Sequence, residues 1–124
     1  LLQILAIAGG GALGALGRFW VSSGVYRLLG RDLPWGTLVV NVLGSFLMGL
    51  LFVLFNERST TGLEVKSAVL IGFLGAFTTF STFSAETLVL IEAGYPGRAF
   101  LNMGMSLLVC LLACWAGFLL GRSL

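Results

Sequence analysis

The run GFLGAFTTFSTFSAE, residues 72–86, decides how this chain is read. Two glycines lead into a row, Thr78 to Ser84, of five hydroxyls interleaved with two phenylalanines, inside an uncharged stretch from Ser67 to Ala85. Soluble cores rarely hold so many hydroxyls side by side, and a lipid-facing helix has still less use for them. They fall on more than one helix face, so no single neighbour covers them all. Polar side chains within a span face a bundle interior, a site or a pathway. Glycine weakens a membrane helix, and unwound backbone at depth occurs where it lines a cavity or an ion site. The expectation is a helix broken near its middle, between Gly75 and Thr79, with carbonyls freed at midplane that suit a hard cation.

The rest of the chain supplies the lipid. Of 124 residues, 58% are hydrophobic and 10% charged, against about 45–50% and about 25% in a soluble domain. Trp35 to Phe55, Ser67 to Ala85 and Ala99 to Gly121 are uncharged runs of the roughly 20 residues that cross about 30 Å of hydrocarbon. Leu1 to Gly17 is a fourth apolar run, carried past Arg18 to Arg27. The chain is an all-α membrane protein, one domain over 1–124, with helices at about 2–29, 35–55, 65–92 and 98–121. The first run lacks the basic flank and cleavage site of a signal peptide, and the absence of an initial Met suggests preceding residues.

The connections GRDLP (residues 30–34), NERSTTGLE (56–64) and AGYPG (93–97) are too brief for a folded module, a nucleotide-binding loop or an ATPase motif. The chain reads as no enzyme and carries no nucleic-acid signature. Pro34 marks the start of the second helix. Lys and Arg favour the cytoplasmic side. Arg58, Lys66 and Arg122 fall on one side, and Arg27, Arg31 and Arg98 on the other. A balanced count lets both orientations insert, from which an antiparallel homodimer follows. Eighteen glycines are about twice the average share of about 7%. Gly10 with Gly14, Ser45 with Gly49, and Gly117 with Gly121 have the spacing that lets helix backbones approach closely.

Asn41 lies well inside the second span, and Asn102 and Ser106 share a face of the fourth. A lone hydroxyl such as Ser45 ordinarily bonds back to its own helix. Cys110 and Cys114, with no His in the chain, read as two small buried apolar residues. Hydroxyls and amides donate to an anion or accept around a cation. Only Glu86 supplies a carboxylate near the middle of a segment. A pathway rich in donors, poor in acids and flanked by Arg18 suits a small anion. Phe80 and Phe83 share a face, and a ring edge is the positive end of the aromatic quadrupole. Spacing alone makes these two rings packing residues.

These residues carry a resemblance along the whole chain. Gly14-x-x-Gly17-Arg18, Gly36-Thr37 with Asn41-x-x-Gly44-Ser45-Phe46, the row from Gly72 to Ser84, and Asn102 with Ser106 are similar to the Fluc (CrcB-type) fluoride channels of bacteria. The resemblance implies four-helix subunits in an antiparallel, dual-topology homodimer in the inner-membrane lipid bilayer. It implies two separate pores and passive, fluoride-selective export. On that resemblance Phe80 and Phe83 line the pore with ring edges toward fluoride, and Asn41 supplies an amide donor. Ser81, Thr82, Ser84 and Ser106 add polar lining, and Arg18 belongs to the aqueous entrance. The carbonyls of Gly75 and Thr78, from both subunits, hold a structural Na⁺ on the dimer axis. Two rivals remain. A small dual-topology multidrug exporter depends on an acid in its first span, where this chain has Arg18. In a non-transporting assembly subunit the polar row is interhelical glue.

Overall fold

A computed structural model describes residues 1–124. Its helices are α1 (Leu2–Leu29), α2 (Trp35–Asn56), α3 (Leu63–Lys66), a π-helical stretch (Ser67–Phe73), α4 (Leu74–Phe77), α5 (Phe80–Glu92) and α6 (Pro96–Ser123). From α3 to α5 the chain makes one span, Leu63–Glu92, so four helical segments are long and apolar enough to cross a membrane. The expected break is present and falls at Thr78 and Thr79, both extended, between α4 and α5.

Local chemistry sets the ends. Gly30 leaves α1 at φ +80°, a conformation glycine adopts without steric cost, and its N–H bonds the Tyr26 carbonyl at 2.9 Å. Pro34 caps α2, as expected. The last helix starts earlier than the sequence suggests, because Pro96 fits its first turn, where no N–H is needed.

Two helix pairs form the frame: α2 lies along α6, and α1 lies along the π stretch and α4. Glycine makes both pairings possible. A Cβ on Gly10 would run into the Ala68 carbonyl, and one on Gly14 into the Phe73 carbonyl. On the other seam, Gly49 sits against the Cys114 carbonyl and Gly117 against that of Phe46. The π stretch, one residue wider per turn, therefore presents its backbone directly to α1. In lipid, where apolar area gives little drive to associate, this close approach is what packing rests on.

Only 17 of 124 residues are buried, the apolar ones being Val40, Val53, Leu74, Phe77 and Ala99, while leucines and aromatics cover the outside. That distribution suits a protein whose solvent is hydrocarbon. At one end Arg122 pairs with Glu57 at 3.3 Å, both side chains about half exposed. Such a pair contributes about 0–1 kcal/mol, so it aligns the ends of α2 and α6 more than it stabilises them.

Candidate functional site

Gly44 of α2 packs against the break. A Cβ there would collide with the Thr78 methyl, so the bare glycine lets α2 reach the point where the third span unwinds. One turn earlier on α2, Asn41 clamps the unwound backbone from both sides. Its Nδ2 donates to the Thr79 carbonyl at 3.0 Å, and its Oδ1 accepts from the Thr79 N–H at 2.7 Å. In an unbroken helix that N–H would have gone to Gly75. From the other side Arg18 donates through Nε to the Ala76 carbonyl at 3.1 Å, a group that would otherwise have paired with Phe80. The Thr79 hydroxyl caps α5 by accepting from the Thr82 N–H at 3.2 Å. The carbonyls of Gly75 and Thr78 thereby lose the partners an unbroken helix gives them, and Gly75 lies exposed on the outer face.

Beside the break is a cavity of about 580 Å³. Asn41, Ser45, Thr78, Thr79 and Ser106 give it polar groups, and Phe80, Phe83, Met48, Met103 and the two cysteines supply much of its apolar wall. No charged side chain lines it. Asn41 keeps one amide hydrogen beyond its clamp. The Phe80 and Phe83 rings stand 5.1 Å apart at 44°. Phe80 is 78% exposed, so within this chain it is not the packing residue that its spacing suggested.

The structure thus gathers Asn41, Phe80, Phe83, Ser106 and Thr78 at one cavity. Ser81, Thr82, Ser84, Arg18 and Gly75 lie around the break but outside its lining. The Ser81 and Thr82 hydroxyls interact with that of Thr79 at 3.2 and 3.1 Å, and Ser84 bonds back to the Phe80 carbonyl at 2.9 Å. Two expectations need correction. Ser45 opens on the cavity rather than turning back to its helix, as Ser22, Thr78 and Thr87 do. Cys110 and Cys114 are half-buried in the cavity wall and not sealed in a core.

Two polar chains have links, through Thr87 and Tyr26, that the sequence alone does not reveal. Ser106 donates to Asn102 Oδ1 at 3.4 Å, Asn102 Nδ2 to Thr87 at 2.8 Å, and Thr87 to the Phe83 carbonyl at 2.7 Å. This relay joins α6 to α5 immediately behind Phe83, and the buried Thr87 is its hinge. The second involves Glu86, which accepts from the Tyr26 hydroxyl at 2.6 Å and from that of Thr37. Gly36 makes room for the Tyr26 ring, since a Cβ there would overlap it. The Gly36-Thr37 pair therefore positions Tyr26 and binds the carboxylate together. A Gly-Thr step opposite a lone intramembrane acid was the available signal.

Comparison with known proteins adds an independent finding. The family model described as CrcB-like protein, Camphor Resistance (CrcB), matches residues 5–118. The chain is 57% identical over 123 residues to the fluoride-specific ion channel FluC of Methylococcus capsulatus, covering 99% of this chain and 54% of that protein. It thus spans about half the length of that relative. It is 54% identical over 121 residues to FluC of Magnetococcus marinus, and 48% identical over 121 residues to FluC of Geobacter sulfurreducens. For both, the match covers 98% of each chain.

Proposed function

The chain belongs to the CrcB-like family of multi-pass membrane proteins, and on that premise we propose that it is a fluoride-selective channel and not an enzyme. It exports fluoride passively across the bacterial inner membrane. The observation that carries this reading is an uncharged cavity lined by an amide, hydroxyls and two phenylalanine rings, opening beside a broken span.

Fluoride is compact and strongly hydrated, so a passage that strips part of its water shell must replace the lost donors. The free Asn41 amide hydrogen and the Ser45 hydroxyl donate to the ion inside the cavity, and Ser106, whose hydrogen lies on Asn102 at 3.4 Å, donates only by releasing that long bond. Ser81, Thr82 and Ser84 continue the polar lining along α5, and Arg18 draws anions toward the entrance. The edges of Phe80 and Phe83 present their positive rim without a full charge. Conduction needs binding strong enough to admit the ion and weak enough to release it. A cavity wall with neither Lys, Arg, Asp nor Glu meets that condition.

The working unit is an antiparallel, dual-topology homodimer with two pores. Its support is the three-against-three distribution of basic residues and the exposure of Phe80, which a single chain leaves uncovered. A sodium ion on the dimer axis would take its oxygen ligands from Gly75 and Thr78 of both subunits. Support comes from the donor chemistry, since carbonyls released at a helix break are hard oxygens of the kind that coordinate Na⁺ in broken membrane helices. Such an ion supplies a fixed point for the two breaks.

Liposome efflux tests the reading. Reconstituted protein should dissipate a fluoride gradient once a counter-ion path is supplied, and leave a chloride gradient intact. Chloride loss as fast as fluoride loss overturns selectivity. Drug-driven proton uptake would identify an exporter, and inactivity in both assays a non-transporting subunit.

A further inference from the structure

Fluoride conduction leaves one part of the cavity wall without a role. Cys110, Cys114 and Met48 line it together with Met103, four sulfur side chains around one space. We propose that Cys110 and Cys114, completed by Met48, form a binding site for a soft monovalent cation of the Cu⁺ or Ag⁺ class.

The placement follows from helix register. Residues four apart on a helix share a face with Cβ atoms about 5–6 Å apart. That separation exceeds the about 3.5–4.5 Å a disulfide requires, so α6 cannot cross-link these thiols without unwinding. Both are free. Two metal–thiolate bonds of about 2.3 Å each, the length seen with zinc, close the gap readily. The third sulfur comes from α2. Gly49 touches the Cys114 carbonyl, so the two backbones are in contact at this level, and Met48 is its neighbour in sequence. Met103 lies two turns before Cys110, toward the Phe83 end of the cavity, and stays outside the set.

The donor types choose the metal. Thiolates and thioethers select Cu⁺ over hard ions. No histidine exists in the chain and no carboxylate lines the cavity, so magnesium, calcium or manganese would find no preferred ligand. Zinc would lack the four donors of a structural site. As each coordinating thiol becomes a thiolate, its proton passes to water. Both cysteines are partly exposed and line the cavity, which gives the metal its way in and the proton its way out.

The test is anaerobic titration of the purified full chain with Cu⁺ in competition with a chromophoric Cu⁺ chelator, with Ag⁺ counted by native mass spectrometry. Expected is one ion per chain and protection of both thiols from maleimide. C110S and C114S should each weaken binding at least about 100-fold, and M48L at least about 10-fold, taking the about 10–100-fold cost of an outer-shell change as the floor for losing a ligand. M103L should change nothing. C110A and C114A repeat the measurement with a second side chain, and elution volume with circular dichroism confirms the fold of each variant. Single cysteine variants that keep wild-type affinity, or a wild type that competes no better than C110S/C114S, overturn the proposal. The readout involves no anion movement, so its failure is separate from any failure of fluoride conduction.

Discussion

Asn41 has two duties that two substitutions separate. Asn41→Ala removes both halves of the clamp on Thr79. A stranded buried backbone group costs about 1–3 kcal/mol, which would place the pair at about 2–6 kcal/mol in a sealed interior. Interhelical hydrogen bonds in membranes average only about 0.6 kcal/mol and reach about 1.7. Thr79 is half-buried and lines the cavity, so water can reach its freed groups. The lower scale governs, and the expected loss is about 1–3 kcal/mol, two such bonds at the membrane value. Asn41→Asp keeps an acceptor for the Thr79 N–H but sets a carboxylate beside the path. Two like charges about 6 Å apart at an effective dielectric of about 20 repel by about 3 kcal/mol, roughly a 100-fold loss of rate. Denaturant titration in detergent, followed by tryptophan fluorescence, reads the first variant, and liposome fluoride efflux reads the second. An alanine variant within about 0.5 kcal/mol of wild type, or an aspartate variant conducting near the wild-type rate, refutes this account.

Phe80→Ile should lower fluoride efflux at least about tenfold while leaving the dimer assembled on size-exclusion chromatography; equal efflux counts against a ring-edge contact. Gly14→Ala should destabilise by about 1–3 kcal/mol through overpacking against the Phe73 backbone. Gly104→Ala, with nothing within 4 Å, should instead gain up to about 1 kcal/mol of helix propensity, and the contrast is read in the same titration. Tyr26→Phe removes a donor to Glu86 and should cost about 1.5–3 kcal/mol, the scale for bonds to a charged group; a neutral result would mean the carboxylate needs only Thr37. Replacing sodium by a bulky organic cation throughout purification should disperse the dimer on size-exclusion chromatography, and an unchanged elution volume would remove the axial ion.

The number of spans, their approximate limits and the site of the break were written locally, in uncharged run lengths and in glycines preceding a row of hydroxyls. Thr78 and Thr79 unwind where that row begins, because the hydroxyl of Thr79 can cap the helix that restarts. Tertiary structure alone decided which polar groups meet. Asn41 and Thr79 are 38 residues apart, Tyr26 and Glu86 are 60 apart, and Thr87 reaches Asn102 from another helix. Those meetings depend on the rotation of each helix about its own axis, which Gly14 and Gly49 fix by letting backbones touch. A sequence period tells which residues share a face, but not which neighbour that face will find. Ser45 and the two cysteines show the consequence: read one at a time they were a back-bonded hydroxyl and apolar filler, and only the packing of α2 on α6 turned all three toward one cavity.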